Sequence, residues 1–210
     1  MVKSLYLIRH GETEGSHERR YKGSLDVPLS ELGVRQARAT GAYMKQRGYC
    51  PDIVYCSPLS RAIKSAEMAG EHFGLKPVVV EGLRERDFGA WEGMSFDEIA
   101  ERWPEAFSSW AHNPLRFSPM DGESTLEVRD RVMPVVEGLL HSSHAEHIAI
   151  VAHGGVNRVM LCHYAGVPLE NIFRIDQGFA CINVIRFHEP VADGAPPLPV
   201  LELMNLTPEV

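Results

Sequence analysis

Two histidines in this sequence directly follow short apolar runs, a pattern that suits a pair of reactive imidazoles. Leu5–Ile8 precedes Arg9-His10-Gly11, and Ile148–Ala152 precedes His153-Gly154-Gly155. Each apolar run is typical of a strand buried on both faces of a sheet. Because α/β proteins bind ligands at the carboxyl ends of such strands, we expect both imidazoles at one sheet edge. Either histidine alone would more simply be a surface or capping residue, so the repeated pattern carries the argument.

Two arginines are expected to reach the same edge. Arg9 follows the first strand, and Arg61 falls in the first turn of the helix predicted after the second strand. A planar guanidinium binds phosphate or carboxylate through two N–H groups. With His10 and His153 nearby, a phosphoryl group is the simplest ligand, since a planar carboxylate needs fewer donors. A helix start at Gly11–Thr13 is expected to add backbone N–H groups.

This arrangement predicts nucleophilic chemistry at phosphorus. An imidazole among cations loses proton affinity, so His10 would stay neutral near pH 7 and attack to give a phosphohistidine. The arginines and His153 would stabilise the charge on the equatorial oxygens. The leaving alcohol needs a proton, and the nearby carboxyl candidates are Glu85, Asp87 and Glu92. For Asp87 a role in a charged surface loop is the simpler interpretation.

The elements needed to position these residues alternate between strand and helix. The pattern predicts an α/β fold with a doubly wound, mostly parallel sheet flanked by helices, in one domain over 1–210. A small helical cap insertion is predicted at about 81–122, a segment that holds all three tryptophans. The further predicted strands are Asp52–Cys56, Pro77–Val80, Ala180–Phe187 and Pro199–Met204. The predicted helices follow Ser30 and Ser124 as N-caps and cover Leu59–Phe73, Phe96–Arg102, Pro104–Ala111 and Val156–Ala165.

Composition limits the function classes. The net charge of −7 over 210 residues argues against nucleic acid and anionic membranes as partners. The four cysteines form no CxxC pair, and no run is long enough to span a membrane. The apolar stretch at the amino terminus is too short for a signal peptide, which predicts a cytoplasmic protein. The expected partner is a small phosphorylated metabolite, with no cofactor and no metal. A homodimer is an expectation that the pattern leaves open.

Seven motifs in this order resemble the histidine phosphatase superfamily, the phosphoglycerate mutase-like clan. They are Arg9–Thr13, Asp26–Ser30, Cys56–Ala62, Leu83–Glu85, Gly89–Gly93, Gly122–Ser124 and His153–Gly155. The resemblance implies the fold of that clan. It implies that His10 is the phosphorylated nucleophile, that Arg9, Arg61 and His153 bind the phosphoryl group, and that Glu85 donates the proton. It also implies a phosphate contact from the backbone at Gly154 and gives Asp87 and Glu92 no such role.

The sequence departs from the clan's usual pattern in two places. Gly15-Ser16 replaces a Trp-Asn pair whose asparagine touches phosphate, so Ser16 is a candidate donor with a shorter reach. Lys22-Gly23 replaces Gln-Gly, and Lys22 would favour a substrate with a second anion. Both residues of that pair are retained as candidate phosphate-binding positions.

Within the clan, the short segment after Gly93 favours water as acceptor and therefore a phosphatase over a phosphoglycerate mutase. Pro104–Phe107, Trp110, Asn113-Pro114 and Asp121–Ser124 are similar to α-ribazole-phosphate phosphatases of cobalamin assembly, although broad-specificity phosphatases share much of this. Three alternatives stay open: mutase activity on 2- or 3-phosphoglycerate, a non-enzymatic module that binds a phospho-ligand, and a histidine-metal hydrolase. The last lacks an HxH, HExxH or DxH motif.

Overall fold

The computed structural model describes residues 2–18, 20–190 and 194–210. Within these ranges the chain forms a six-stranded sheet of order β3-β2-β4-β1-β5-β6. The strands are β1 (Ser4–Arg9), β2 (Ile53–Cys56), β3 (Val78–Val79), β4 (His147–Ala152), β5 (Ile182–His188) and β6 (Leu198–Leu206). The first four pair in parallel, whereas β5 and β6 run antiparallel to their neighbours. This confirms the predicted α/β class with a mostly parallel sheet.

Helices cover both faces of the sheet. Over the described ranges they are α1 (Glu31–Gln46), α2 (Ser60–Gly70), α3 (Phe96–Arg102), α4 (Pro104–His112), α5 (Thr125–Ser142) and α6 (Gly154–Tyr164). Leu5 and Leu7 of β1 face the core that contains α5 and α6, and Tyr6 and Ile8 face the core that contains α1 and α2. Alternate residues of one strand thus bury into opposite layers, because successive side chains point to opposite faces. The central strands are held rigidly between two cores.

Local signals set several helix starts. The Ser30 side chain accepts a hydrogen bond from Gly33 N at the start of α1. Ser124 and Glu127 form a reciprocal capping box at the start of α5, as the sequence predicts. A second capping box, between Ser95 and Glu98, starts α3 in the segment predicted to form the cap.

Some predicted boundaries move, and one prediction is wrong. The helix predicted over Leu59–Phe73 ends at Gly70 and continues as a 3₁₀ turn, while α6 begins two residues earlier than expected, at Gly154. No helix starts at Gly11–Thr13. The backbone there bonds to the segment before α1 instead: Ser30 N donates to Glu12 O, and Thr13 forms an isolated bridge with Leu29. The predicted loop Glu189–Pro199 includes residues 191–193, which lie outside the described residues.

Gly11 and Gly33 show why the chain can approach itself so closely at this point. A Cβ on Gly11 would overlap the carbonyl group of Gly33, and a Cβ on Gly33 would overlap the backbone of Glu12. The start of α1 therefore packs directly on the backbone that follows His10. Gly11 N donates to Ser65 Oγ on α2 at 3.0 Å, which fixes the same segment from its other side.

Two further features bear on the sequence expectations. In residues 2–18, 20–190 and 194–210 there is no helix that combines the length and hydrophobicity needed to cross a bilayer. Cys50, Cys56, Cys162 and Cys181 all carry free thiols, and Cys50 alone among them is exposed.

Candidate active site

The register of β1 and β4 places the two histidines together. Arg9 at the end of β1 pairs with Ala152 at the end of β4, so His10 and His153 follow equivalent positions on neighbouring parallel strands. Their ring centroids are 5.1 Å apart in an edge-on arrangement. This distance is close to the spacing of adjacent strands, about 4.8 Å, so the sheet itself sets the imidazole pair.

Hydrogen bonding leaves Nε2 of His10 free. His10 is 6% exposed, and its Nδ1 lies 2.7 Å from the carbonyl oxygen of Gly11. Because a carbonyl oxygen only accepts hydrogen bonds, Nδ1 carries the proton and Nε2 keeps its lone pair. Burial, followed by the charges of Arg9 and Arg61, holds the pKa of His10 well below its usual value. A lowered pKa keeps the imidazole of His10 neutral at neutral pH.

His153 is fully buried beside His10 rather than on the cavity wall. Its Nε2 lies 2.7 Å from Ser57 Oγ, and the tautomer of the ring decides which of these two atoms donates. Its Nδ1 has no hydrogen-bond partner among the described residues. Burial, then the neighbouring His10 and the two arginines, also lower the pKa of His153.

Two buried guanidinium groups are held by backbone carbonyls. Arg61 is 2% exposed and donates to Leu25 O and Gly23 O at 2.6 Å each. Arg9 donates to Gln177 O. Arg9 Nε and Arg61 Nε both lack a hydrogen-bond partner among the described residues.

The unpartnered buried atoms are unusually concentrated here. Four buried side-chain nitrogen or oxygen atoms in the described residues lack a partner, and three of them are nitrogens of predicted site residues: Arg9 Nε, Arg61 Nε and His153 Nδ1. Buried polar groups are almost always paired, so the unpaired guanidinium N–H groups of Arg9 and Arg61 in the cavity that His10 also lines are suited to an anion.

The structure brings the predicted residues together around one cavity of about 330 Å³. The predicted residues that line it are Arg9, His10, Ser16, Lys22, Gly23, Arg61, Glu85 and Gly154. Lys22 Nζ donates to Thr13 Oγ1 at 2.7 Å and to Glu14 O, and burial followed by the charge of Arg61 lowers its pKa.

Two of the candidate carboxylates, Asp87 and Glu92, are not part of the cavity lining. Asp87 Oδ1 accepts a hydrogen bond from Gly89 N, and Glu92 Oε1 accepts one from Ser24 N. Both carboxylates therefore stabilise the backbone of nearby loops.

Glu85 faces the cavity from a braced segment. Its carboxylate accepts hydrogen bonds from Gly155 N at 3.0 Å and from Arg86 N at 2.9 Å. Arg131 on α5 binds both carboxylate oxygens of Glu123 and donates to the carbonyl groups of Gly82 and Arg84. This half-buried pair ties α5 to the strand-like stretch that presents Glu85.

The loop before β5 supports Arg9 and His10 from behind, a role that no local sequence pattern indicates. Gln177 O accepts from Arg9, Ala180 N donates to His10 O at 3.0 Å, and the Phe179 ring lies 4.1 Å from the Arg9 guanidinium carbon. The Gln177 side chain is fixed by two hydrogen bonds to the Asn183 amide, at 2.8 and 2.9 Å. These partners lie some 170 residues from Arg9, beyond the reach of any local pattern.

We expect Asn183→Ala to lower the free energy of unfolding by about 3 kcal/mol, because it removes three buried hydrogen bonds, two to the Gln177 amide and one to the Leu7 carbonyl. Urea denaturation measures the change. Asn171→Ala, which removes an amide without a side-chain hydrogen bond, is the matched control and should stay within about 0.5 kcal/mol of wild type. Equal stabilities of the two variants would contradict the role given to this network.

The two buried histidines predict a pH dependence of stability. Their folded-state pKa values lie below the unfolded value, so on acidification the unfolded chain takes up protons first. The contribution of the two neutral histidines to the free energy of unfolding is therefore fully present above about pH 6.5. Below that pH the free energy of unfolding falls, by up to about 1.4 kcal/mol per pH unit for each histidine. Thermal melts between pH 8 and 5.5 should show a shallower decline for His153→Gln than for wild type. His188→Gln, at an exposed position, should follow wild type, and three parallel curves would refute the assignment.

The fold and the cationic cavity at its sheet edge are those expected of a protein that acts on phosphate esters. The family model of the histidine phosphatase superfamily (branch 1) matches residues 5–192. The chain therefore belongs to the histidine phosphatase superfamily, and within it the chain is a phosphatase.

Three relatives illustrate the likeness. Phosphoserine phosphatase 1 of Hydrogenobacter thermophilus is 32% identical over 90% of this chain and 88% of its own length. Adenosylcobalamin/alpha-ribazole phosphatase of Escherichia coli is 30% identical over 90% of this chain and 92% of its own length. The solved structure of a mycobacterial glucosyl-3-phosphoglycerate phosphatase with VO3 superposes with a TM-score of 0.83 at 29% identity, covering 97% of this chain and 99% of that one.

Proposed function

We propose that this phosphatase is a metal-independent phosphomonoesterase that acts on a small organic phosphate through a phosphohistidine at His10 Nε2. The observation that supports it most directly is the pair of unpartnered guanidinium Nε–H groups, on Arg9 and Arg61, in the cavity that His10 also lines. These donors match the oxygens of a transferring phosphoryl group, whose charge they would stabilise. The phosphate contact of His153 stays a prediction, because its ring does not line the cavity.

The reaction divides into two in-line displacements. In the first, His10 Nε2 forms a bond to phosphorus, the ester P–O bond breaks, and the Glu85 carboxylic acid gives its proton to the leaving alcohol. In the second, water attacks the phosphohistidine while the Glu85 carboxylate accepts a water proton, and inorganic phosphate leaves. The position of Glu85 supports this role, because its carboxylate borders the cavity beside the amino-terminal turn of α6, against Gly155 N.

The substrate is proposed at the level of a small organic phosphomonoester. The cap motifs make α-ribazole 5′-phosphate the first candidate, and the aromatic side chains on the cavity wall support a flat leaving group; they are Tyr21, Phe88, Trp110, Phe173 and Phe179. The names of the relatives add a second class, in which the leaving alcohol carries a carboxylate, as in phosphoserine and glucosyl-3-phosphoglycerate. We further expect a cytoplasmic enzyme that needs no cofactor, with a homodimer as the expected assembly.

The direct test is hydrolysis of p-nitrophenyl phosphate by the purified chain with and without EDTA. We expect equal turnover, because the arginines and histidines supply the positive charge that a metal ion would otherwise provide. Loss of activity in EDTA that added zinc restores would indicate a metal hydrolase, and no hydrolysis of any phosphoester would indicate a binding module. Faster transfer between 2- and 3-phosphoglycerate than release of phosphate would indicate a mutase.

A further inference from the structure

The cavity lining is strongly cationic beyond the phosphate-binding end. Outside Arg9 and Arg61, the lining includes Arg20, Lys22, Arg86 and Arg158, whereas Glu85 is its one carboxylate in the described residues. The whole chain has a net charge of −7, so the positive charge of this lining is opposite in sign to that of the protein as a whole. The question is which of these cations has N–H groups free for a substrate.

Arg20 and Lys22 have most of their donors occupied by the protein. Arg20 binds both carboxylate oxygens of Glu98 with its terminal nitrogens. Lys22 donates to Thr13 and to the Glu14 carbonyl, which leaves one of its three N–H groups. A single N–H group cannot make the two-point contact with a carboxylate that a guanidinium makes.

Each nitrogen of the Arg86 guanidinium group also has a hydrogen-bond partner within the protein. Arg86 is 6% exposed, and its three nitrogens donate to Glu123 O, Thr125 Oγ1 and Phe117 O at 2.7 to 3.2 Å. These contacts hold the stretch after Glu85 against the start of α5. Arg86 is therefore a structural residue, although its side chain reaches the wall.

Arg158 differs from the other three. Its Nε donates to Ile175 O at 2.7 Å, which fixes the plane of the guanidinium group. Its terminal nitrogens make no hydrogen bond within the described residues, and the nearest carboxylate oxygen, on Asp176, is 3.9 Å from Nη2 and belongs to an 84% exposed side chain. Nη1 lies 3.6 Å from the point where a Cβ on Gly154 would stand, on the same side as Arg9 Nε. The result is an anchored guanidinium with unused donors beside the reacting centre.

The position of Arg158 along α6 defines what it can bind. Gly154, Gly155, Arg158 and Val159 form the face of α6 that lines the cavity. Arg158 lies four residues beyond Gly154 on this face, about 6 Å along the helix axis. Glu85, the proposed acid for the leaving alcohol, bonds to Gly155 N on the same face, so the leaving alcohol is expected on this side of the cavity. A carboxylate on that alcohol would meet the unused terminal N–H groups of Arg158.

We infer that Arg158 is a specificity residue that binds a carboxylate on the leaving alcohol, so that phosphorylated hydroxy acids are preferred over neutral phosphate esters of the same size. The inference rests on the proposed phosphomonoesterase activity and names the substrate class of that same site. The sequence analysis assigned a second substrate anion to Lys22. The structure favours Arg158 for that contact, because the terminal N–H groups of Arg158 are unused within the described residues.

The test uses two esters that differ only at this group. 3-Phosphoglycerate and glycerol 3-phosphate share the glycerol skeleton, with a carboxylate in one and a hydroxymethyl group in the other. We expect wild type to favour 3-phosphoglycerate by at least about tenfold in kcat/KM, and Arg158→Gln to bring the ratio close to one. Arg158→Lys should give an intermediate ratio, because it keeps the charge and loses the planar fork. Any general loss of structure cancels, since each ratio compares two substrates on one enzyme.

Arg20→Gln is the matched control, because it removes the same charge from the cavity wall at a residue already paired with Glu98. Its substrate ratio should equal that of wild type within about twofold. A wild-type ratio near one, a ratio that Arg158→Gln leaves unchanged, or an equal fall in Arg20→Gln would each overturn the inference while the hydrolysis itself stands. If neither ester nor p-nitrophenyl phosphate is hydrolysed, the proposed function fails and the inference fails with it.

Discussion

His10→Ala is expected to hydrolyse p-nitrophenyl phosphate about 10⁴-fold more slowly than wild type, or worse. The side chain removed is the group that forms the bond to phosphorus, and no other imidazole nitrogen is placed to replace it. His153 is the nearest histidine, but it is fully buried, does not line the cavity, and has its Nε2 bonded to Ser57. Losses of this size are typical when a covalent nucleophile is deleted.

The same experiment can identify the intermediate. Wild-type enzyme quenched in base during turnover should carry one phosphoryl group on the peptide that contains His10, and His10→Ala should carry none. His141→Ala, which removes an exposed histidine on α5, is the control and should keep wild-type activity and labelling. Labelling of a serine or of His153 in wild type would contradict the assigned nucleophile.

Glu85→Gln is expected to show a loss that depends on the leaving group. With glycerol 3-phosphate, whose alkoxide is a poor leaving group, turnover should fall about 10²- to 10⁴-fold, because the amide cannot give up a proton in the required way. With p-nitrophenyl phosphate the loss should be less than about tenfold in the first displacement, since p-nitrophenolate leaves without being protonated. A burst of p-nitrophenol measured in the pre-steady state separates that displacement from the later hydrolysis.

Asp87→Asn provides the matched control for Glu85. It makes the same change from carboxylate to amide two residues away, at a side chain that bonds to Gly89 N and lies off the cavity wall. We expect wild-type rates with both substrates. Equal losses in Glu85→Gln on both substrates would show that the residue positions the site rather than transferring a proton.

The sequence alone predicts that the residues of the proposed chemical centre lie together, because the strands that position them are signalled locally. The apolar runs that end at Arg9 and Ala152 are central strands, and residues directly after such strands reach the sheet edge wherever the rest of the chain goes. The helix starts at Ser30 and Ser124 were equally predictable, since each cap is satisfied within three residues. These features needed no knowledge of distant contacts.

The residues that sequence reasoning missed act through distant contacts. Gln177 and Phe179 brace Arg9 from a loop far along the chain, and nothing in their own neighbourhood signals that role. The helix start expected at Gly11–Thr13 was wrong for the same reason, because that backbone is occupied by the segment before α1. Arg158 had a usable signal: it lies four residues after Gly154, the spacing that puts two residues on one helix face.

The pairing of β1 with β4 has a consequence for how freely the rest of the molecule can be altered. The two imidazoles are set by a register buried between two cores, whereas Phe88 and Trp110, which line the cavity, belong to the stretch between β3 and α5. The strand ends that carry the two histidines and the stretch that carries Phe88 and Trp110 are thus separate parts of the chain. They meet at the short segment around Glu85. Exchanging residues 94–121 with the matching stretch of another such phosphatase should change which esters are hydrolysed and leave the phosphohistidine step at its original rate.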